Sequence, residues 1–186
     1  MNDIRKLEPG SLWNFFYDLT QIPRPSKKEQ KVIDYIVKFG KDHKLETIVD
    51  KTGNVIIKKP AARGMEKREG VVLQTHLDMV PQKNNDKKHD FEKDPIETLI
   101  DGDWVKANGT TLGSDNGIGV AATLAILASK EIPHGPLEAL FTIDEETGMT
   151  GAFGLKKGLL DGDILINLDS EDINELCVGC AGGLDI

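Results

Sequence analysis

Apolar positions along the chain fall into two rhythms. Val32, Ile33, Ile36 and Val37 recur at helical spacing behind Ser26 and Glu29, which form an S-x-x-E capping-box pattern after Pro23 and Pro25. This spacing predicts an amphipathic helix from about Lys27 to Phe39, with Gly40 near its stop. Trp13, Phe15 and Phe16 read as core residues of an earlier helix. "LETIVD" and "NVIIKK", joined by Lys51-Thr52-Gly53, predict a β-hairpin. "VVLQT" (71–75), "LEALFTI" (137–143) and "ILINL" (164–168) predict core strands. "IETLI-DG-DWVKA" predicts a second hairpin turning at Asp101-Gly102.

Two further segments complete the pattern. "NGIGVAATLAILAS" is small and apolar on most faces, which predicts a buried helix, and "TGAFGLKKGLL" predicts another. "PAARGMEKREG" reads as a loop and residues 81–95 as a charged, solvated excursion. Helices alternating with buried strands predict an α/β fold, a three-layer sandwich with a mainly parallel central sheet and helices on both faces.

Composition narrows the class of function. The chain has 186 residues, 39% hydrophobic and 29% charged, and suits one ordinary soluble domain. A formal net charge of −8 argues against nucleic acid or an anionic membrane as partner, because both demand basic surface. Two cysteines, Cys177 and Cys180, are too few for a disulfide scaffold. The first residues, "MNDIRKLEPG", carry no apolar signal region, and "GVAATLAILA" is too short to span a bilayer. A cytoplasmic setting is the expectation.

The chemistry collects just past the core strands. His76 and Asp78 follow the first, Asp144, Glu145 and Glu146 the second, and Asp169 the third, while Asp115 sits in "GSDNG" ahead of the buried helix. Open α/β sheets bind ligands at the carboxyl ends of their strands. So many carboxylates in one place repel unless cations sit among them. Mixed imidazole and carboxylate donors suit Zn²⁺, Mn²⁺ or Co²⁺ more than Ca²⁺, and the number of acids points to two ions sharing a bridging carboxylate. Residues i and i+2 of a strand share a face, so Asp78 can steady the ring of His76. Of the adjacent pair Glu145 and Glu146, one can bind metal while the other serves as general base.

Other patterns compete and are weaker. "GIGVAA" fits a dinucleotide fingerprint, with Glu138 at the distance of a ribose acid, but the preceding "GTTLGSD" is not a strand and Asp115 would repel a pyrophosphate. Cys177 and Cys180 form a C-x-x-C with no partner pair and read as ordinary thiols. Glu171 and Asp172 read as surface charge.

The motifs "THLDMV", "GTTLGSDNGIGVA", "TIDEETGMTGA" and "NLDSED" together resemble the di-zinc aminopeptidase/carboxypeptidase superfamily. "HDFEKDPIETLIDGDWVKANGTTLGSDNGIG" is similar to its aminoacyl-histidine dipeptidase branch, the carnosinase-like Xaa-His dipeptidases. The resemblance implies a zinc-peptidase catalytic domain with two divalent ions, zinc first, cobalt or manganese as alternatives. It implies that His76 and Asp169 ligate one ion, that Glu146 ligates the other, and that Asp115 bridges them. Asp78 steadies His76, and Glu145 is the general base. It further implies a cis peptide after Asp115 and a small peptide substrate such as β-alanyl-histidine. By this reading residues 1–186 are the N-terminal portion of the catalytic domain. The lid and dimerisation domain of a homodimeric full-length form, and a C-terminal return segment that brings a second metal-binding histidine, lie outside them. His43, His89 and His134 do not occupy that histidine's place. The alternatives are a catalytically incomplete fragment that folds and binds metal weakly, or a related tripeptidase or N-acyl-amino-acid deacylase.

Overall fold

The computed structural model describes residues 3–170 and 176–179. Cys180, Glu171 and Asp172 lie outside the described residues. Strands β1 (Glu46–Val49) and β2 (Val55–Lys59) form the first expected hairpin, and β3 (Val71–His76) follows. The second hairpin, β4 (Thr98–Asp101) and β5 (Trp104–Ala107), stands apart as its own two-stranded sheet. Gly102 opens its two-residue turn at φ 60°, a conformation that suits glycine. Strands β6 (Leu137–Thr142) and β7 (Ile164–Asn167) complete a five-stranded sheet in the order β1-β2-β6-β3-β7.

The sheet is mixed. β3 pairs parallel with both β6 and β7, whereas β2 pairs antiparallel with β1 and β6. β6 is buried at all six positions, as a strand with neighbours on both edges and both faces must be. Because β3, β6 and β7 run the same way, their carboxyl ends open on one edge.

Three helices cover one face. α1 (Gly10–Thr20), α2 (Gln30–Asp42) and α3 (Ser114–Ala128) pack Phe16, Leu19, Ile36, Phe39, Leu124 and their neighbours onto Val55, Ile57, Ala139 and Phe141. The alternate residues Ile56, Val72 and Leu140 face the other way, against Ile48, Leu155, Leu159 and Leu160. Among the described residues that second face is therefore covered by an irregular segment rather than a long helix. "TGAFGLKKGLL" gives only the short α5 (Thr150–Gly154), preceded by the single turn α4 (Glu145–Gly148). Its leucines are spent on the sheet face, not on a helical stripe. The buried Glu138 fastens this segment. It pairs with Lys58 at 2.8 Å and accepts hydrogen bonds from the Asp161 and Gly162 amides at 2.9 and 3.0 Å.

Two other expectations need correction. Among the described residues β7 lies at the sheet edge and its Ile164, Leu165 and Ile166 are 41–55% exposed, where the apolar run predicted a core strand. The capping box does not form. α2 starts three residues late, at Gln30, with no side-chain cap, because Ser26 and Glu29 turn toward the strand ends instead.

Candidate active site

The sheet edge gathers the sequence-predicted residues. His76 ends β3 opposite Thr142 at the end of β6, and the Leu77 amide donates to the Thr142 carbonyl at 2.9 Å. This places His76, Leu77 and Asp78 beside Asp144, Glu145 and Glu146. The β7 end is tied in by the Leu168 amide donating to Gln74 at 3.0 Å, which brings Asp169 across. Asp115 arrives from the helical side. Gly113 turns the backbone at φ 72°, Asp115 and Asn116 depart from helical geometry, the Asp115-Asn116 peptide is cis, and regular helix resumes at Gly117.

His76 sits at the centre and is 1% exposed. Its Nδ1 lies 3.2 Å from Asp78 Oδ1; its Nε2 lies 2.9 Å from Asp115 Oδ1 and 3.7 Å from Asp169 Oδ2. Asp78, wholly buried, also accepts from Ser26 Oγ at 2.8 Å and from the Glu145 and Glu146 amides at 3.1 and 3.2 Å. Burial pushes the Asp78 carboxyl up, but the bonds from His76, Ser26 and the Glu145 amide outweigh it and hold the group at about 2. Burial resists charge on His76, yet Asp78, Asp169 and Asp115 overcome it and push the ring up to about 9.

The donors divide into two groups. One ligand atom from each of His76, Asp115 and Glu146 lies within 4.8 Å of the others, and the same holds for His76, Glu145 and Asp169. Glu146 is raised above its ordinary value by burial and by Asp115, and Asp169 by burial and by Asp115 after it. Carboxylates that resist ionisation beside one another are short of positive charge, and the set fits divalent cations. His43, His89 and His134 stand elsewhere. His43 stacks on Phe39 with ring centroids 4.1 Å apart, His89 packs against Phe91, and His134 bonds the Gly135 carbonyl.

Reading the sequence missed Glu29 and Asn116 as supports of this edge and gave Asp144 no role of its own. Glu29 Oε1 accepts from the amides of Lys27 and Asp144, at 2.8 and 3.1 Å. Asp144 is buried, left-handed at φ 50°, and takes the hydroxyls of Thr147 and Thr150 on its carboxylate. Asn116 Nδ2 donates to the Leu168 carbonyl at 2.7 Å and to Asp169 Oδ1 at 2.9 Å, tying the bend to β7. The S-x-x-E signal was visible, but a cap was the nearer explanation.

Residues 72–181, more than half of the chain, match the peptidase family M20/M25/M40. The chain belongs to that family. Its relatives include the cytosol non-specific dipeptidase of Escherichia coli (strain K12), 55% identical over 185 residues, covering all of this chain and 38% of that protein. The aminoacylhistidine dipeptidase structure from Vibrio alginolyticus superposes with a TM-score of 0.90 at 60% identity, covering 91% of this chain and 35% of that one. The family fold extends to an aminopeptidase of Bacillus cereus, at a TM-score of 0.73 and 26% identity over 87% of this chain and 43% of the other. The chain thus spans little more than a third of the length of its dipeptidase relatives. Among the described residues no helix is long and apolar enough to cross a membrane.

Proposed function

We propose that this chain carries the metal-binding half-site of a cytoplasmic dipeptidase that hydrolyses Xaa-His dipeptides such as β-alanyl-histidine. The observation that carries the reading is the pair of donor groups that share His76 at the ends of β3, β6 and β7. His76 and Asp169 would hold one divalent ion, Glu146 the other, with Asp115 between them; zinc suits the donors best, with cobalt or manganese as substitutes. When bound, two such ions polarise the scissile carbonyl and make water acidic enough to attack near neutral pH.

The chain's own residues supply the rest. Asp78 holds the His76 ring through Nδ1 and leaves Nε2 facing Asp115 and Asp169. Glu145 takes the proton of the attacking water and passes it to the departing amine of the histidine. Its carboxylate also lies within reach of His76 and Asp169, so a ligand role competes with the base role. In a second reading the chain binds metal and turns nothing over; the single imidazole that the described residues bring to the site favours it.

One experiment separates these readings. Bound metal and β-alanyl-histidine hydrolysis are measured for the parent chain and for Glu145→Gln. A base gives parental metal content and a kcat lower by a factor of about 10²–10⁴. A lost metal equivalent would make Glu145 a ligand. Metal binding without parental turnover would establish the second reading.

A further inference from the structure

Arg24 is the bulkiest of the fully buried side chains among the described residues, at 2% exposure, and the reaction as proposed leaves it unused. A guanidinium out of water is costly unless its donors and its charge are both met. The two terminal nitrogens go to main-chain carbonyls rather than to a carboxylate, while Nε has no partner among the described residues. Nη1 donates to Leu77 at 2.8 Å and to Asp78 at 3.0 Å, and Nη2 donates to Gly113. Its own carbonyl accepts from the Met79 amide at 3.1 Å, so backbone and side chain grip the same stretch. Burial lowers its pKa to about 10, with Asp78, Asp115 and Glu146 supporting the charge, so it stays a cation at neutral pH. Two glycines clear its seat. A Cβ at Gly113 would lie 2.7 Å from Nη2, and one at Gly117 would lie 2.6 Å from it.

These carbonyls belong to two separate pieces of the site. Leu77 and Asp78 directly follow His76, and Gly113 comes two residues before Asp115. No strand ladder joins the pieces, yet His76 Nε2 and Asp115 Oδ1 are held 2.9 Å apart. Farther from the site the Thr111 hydroxyl donates to the Val80 carbonyl at 2.7 Å and the Thr111 amide to that of Gln82 at 2.8 Å, while the planar fork of Arg24 spans the pieces beside His76 and Asp115 themselves. We propose that Arg24 is a positioning residue that sets the spacing of His76 and Asp115, and thereby the affinity and ligand field of an ion held between them. The proposal rests on the metal reading above. Lysine cannot substitute, because one ammonium does not reproduce a rigid two-pronged fork.

Co²⁺ is the probe. Its binding isotherm and visible d–d spectrum are recorded for the parent chain, Arg24→Lys, Arg24→Met and Gly117→Ala. The last pushes a methyl group into Nη2 without removing the charge. Val32→Ala, in α2 and outside the donor groups, serves as a control that loosens the core. The expected result is a fold kept by circular dichroism, Co²⁺ bound about 10- to 100-fold more weakly in the three site variants, and shifted d–d bands. Val32→Ala should melt earlier with the parental spectrum. Site variants that bind Co²⁺ with parental affinity and spectrum would overturn the proposal, as would a control that shifts the bands equally. If both Arg24 variants fail to fold, Gly117→Ala decides by the same two readouts. A parent chain that binds no Co²⁺ overturns this proposal and the metal reading together; a parent that binds it beside indifferent variants overturns this proposal alone.

Discussion

His76 meets a carboxylate at each ring nitrogen. In the metal-free chain this makes the imidazolium a local cation beside Arg24. Its folded pKa of about 9 lies above its ordinary value of 6.5, so its contribution to stability is full below pH 6.5 and fades as pH rises through 9. With a chelator present, the melting temperature should fall by about 5 °C across that window, and the slope should vanish in His76→Gln. A flat parental profile would contradict the charged ring. Asp78 acts at the other end of the scale. Held at about 2, it supports the fold above its ordinary 3.8 and ceases to as pH drops through 2. His76, Asp78, Glu145, Glu146 and Asp169 were visible as polar residues placed just past apolar runs, and Asp115 as an acid just ahead of one. Arg24, Ser26 and Glu29 were not, because each has an ordinary local explanation. Only the three-dimensional path shows that Ser26 reaches Asp78 and Glu29 reaches the Asp144 amide.

At the scale of elements, β6 is the member on which the rest depends. It contacts β2 and β3 along its length and presents Phe141 to the helical face, fully buried. Phe141→Ala should cost about 3–5 kcal/mol and lower the melting temperature by about 10 °C, as read by calorimetry. A loss below 1 kcal/mol would mean that this core collapses around the gap. Strands were legible where apolar runs were bounded by turn residues, and both hairpins formed, the second turning one residue later than read, at Gly102-Asp103. The exposure of β7 among the described residues was not legible, because hydropathy reports what a strand is made of, not which neighbours it has. The 155–160 segment was misjudged because its leucines suit a helix as well as a sheet-facing loop. Glu138 fixes it there through a buried ion pair that no local pattern announces.

At the scale of the molecule, 31 acidic residues exceed 23 basic ones, and part of that excess is concentrated at one sheet edge. An ion that binds only the folded chain stabilises it by about 2.7 kcal/mol at a hundred times its dissociation constant. Zn²⁺ or Co²⁺ should therefore raise the melting temperature by about 5–10 °C, and a chelator should reverse the rise. An unchanged transition would count against a preformed site. The fold class was legible because alternating helices and strands leave few architectures open. The edge on which the strands would open followed from their being parallel, and with it the place of the candidate site.

That edge draws on residues 76, 115, 145–146 and 169, four stretches far apart along the chain that become neighbours only after three parallel strands have aligned. Contacts of such long sequence separation are slow to form and belong late on a folding route. An ion that needs all of them finds no purchase on the chain until the sheet exists. Added metal should then leave the refolding rate unchanged and slow unfolding alone, which stopped-flow fluorescence of Trp13 and Trp104 would show. For this fold a bound ion would be a lock fitted after the door has closed.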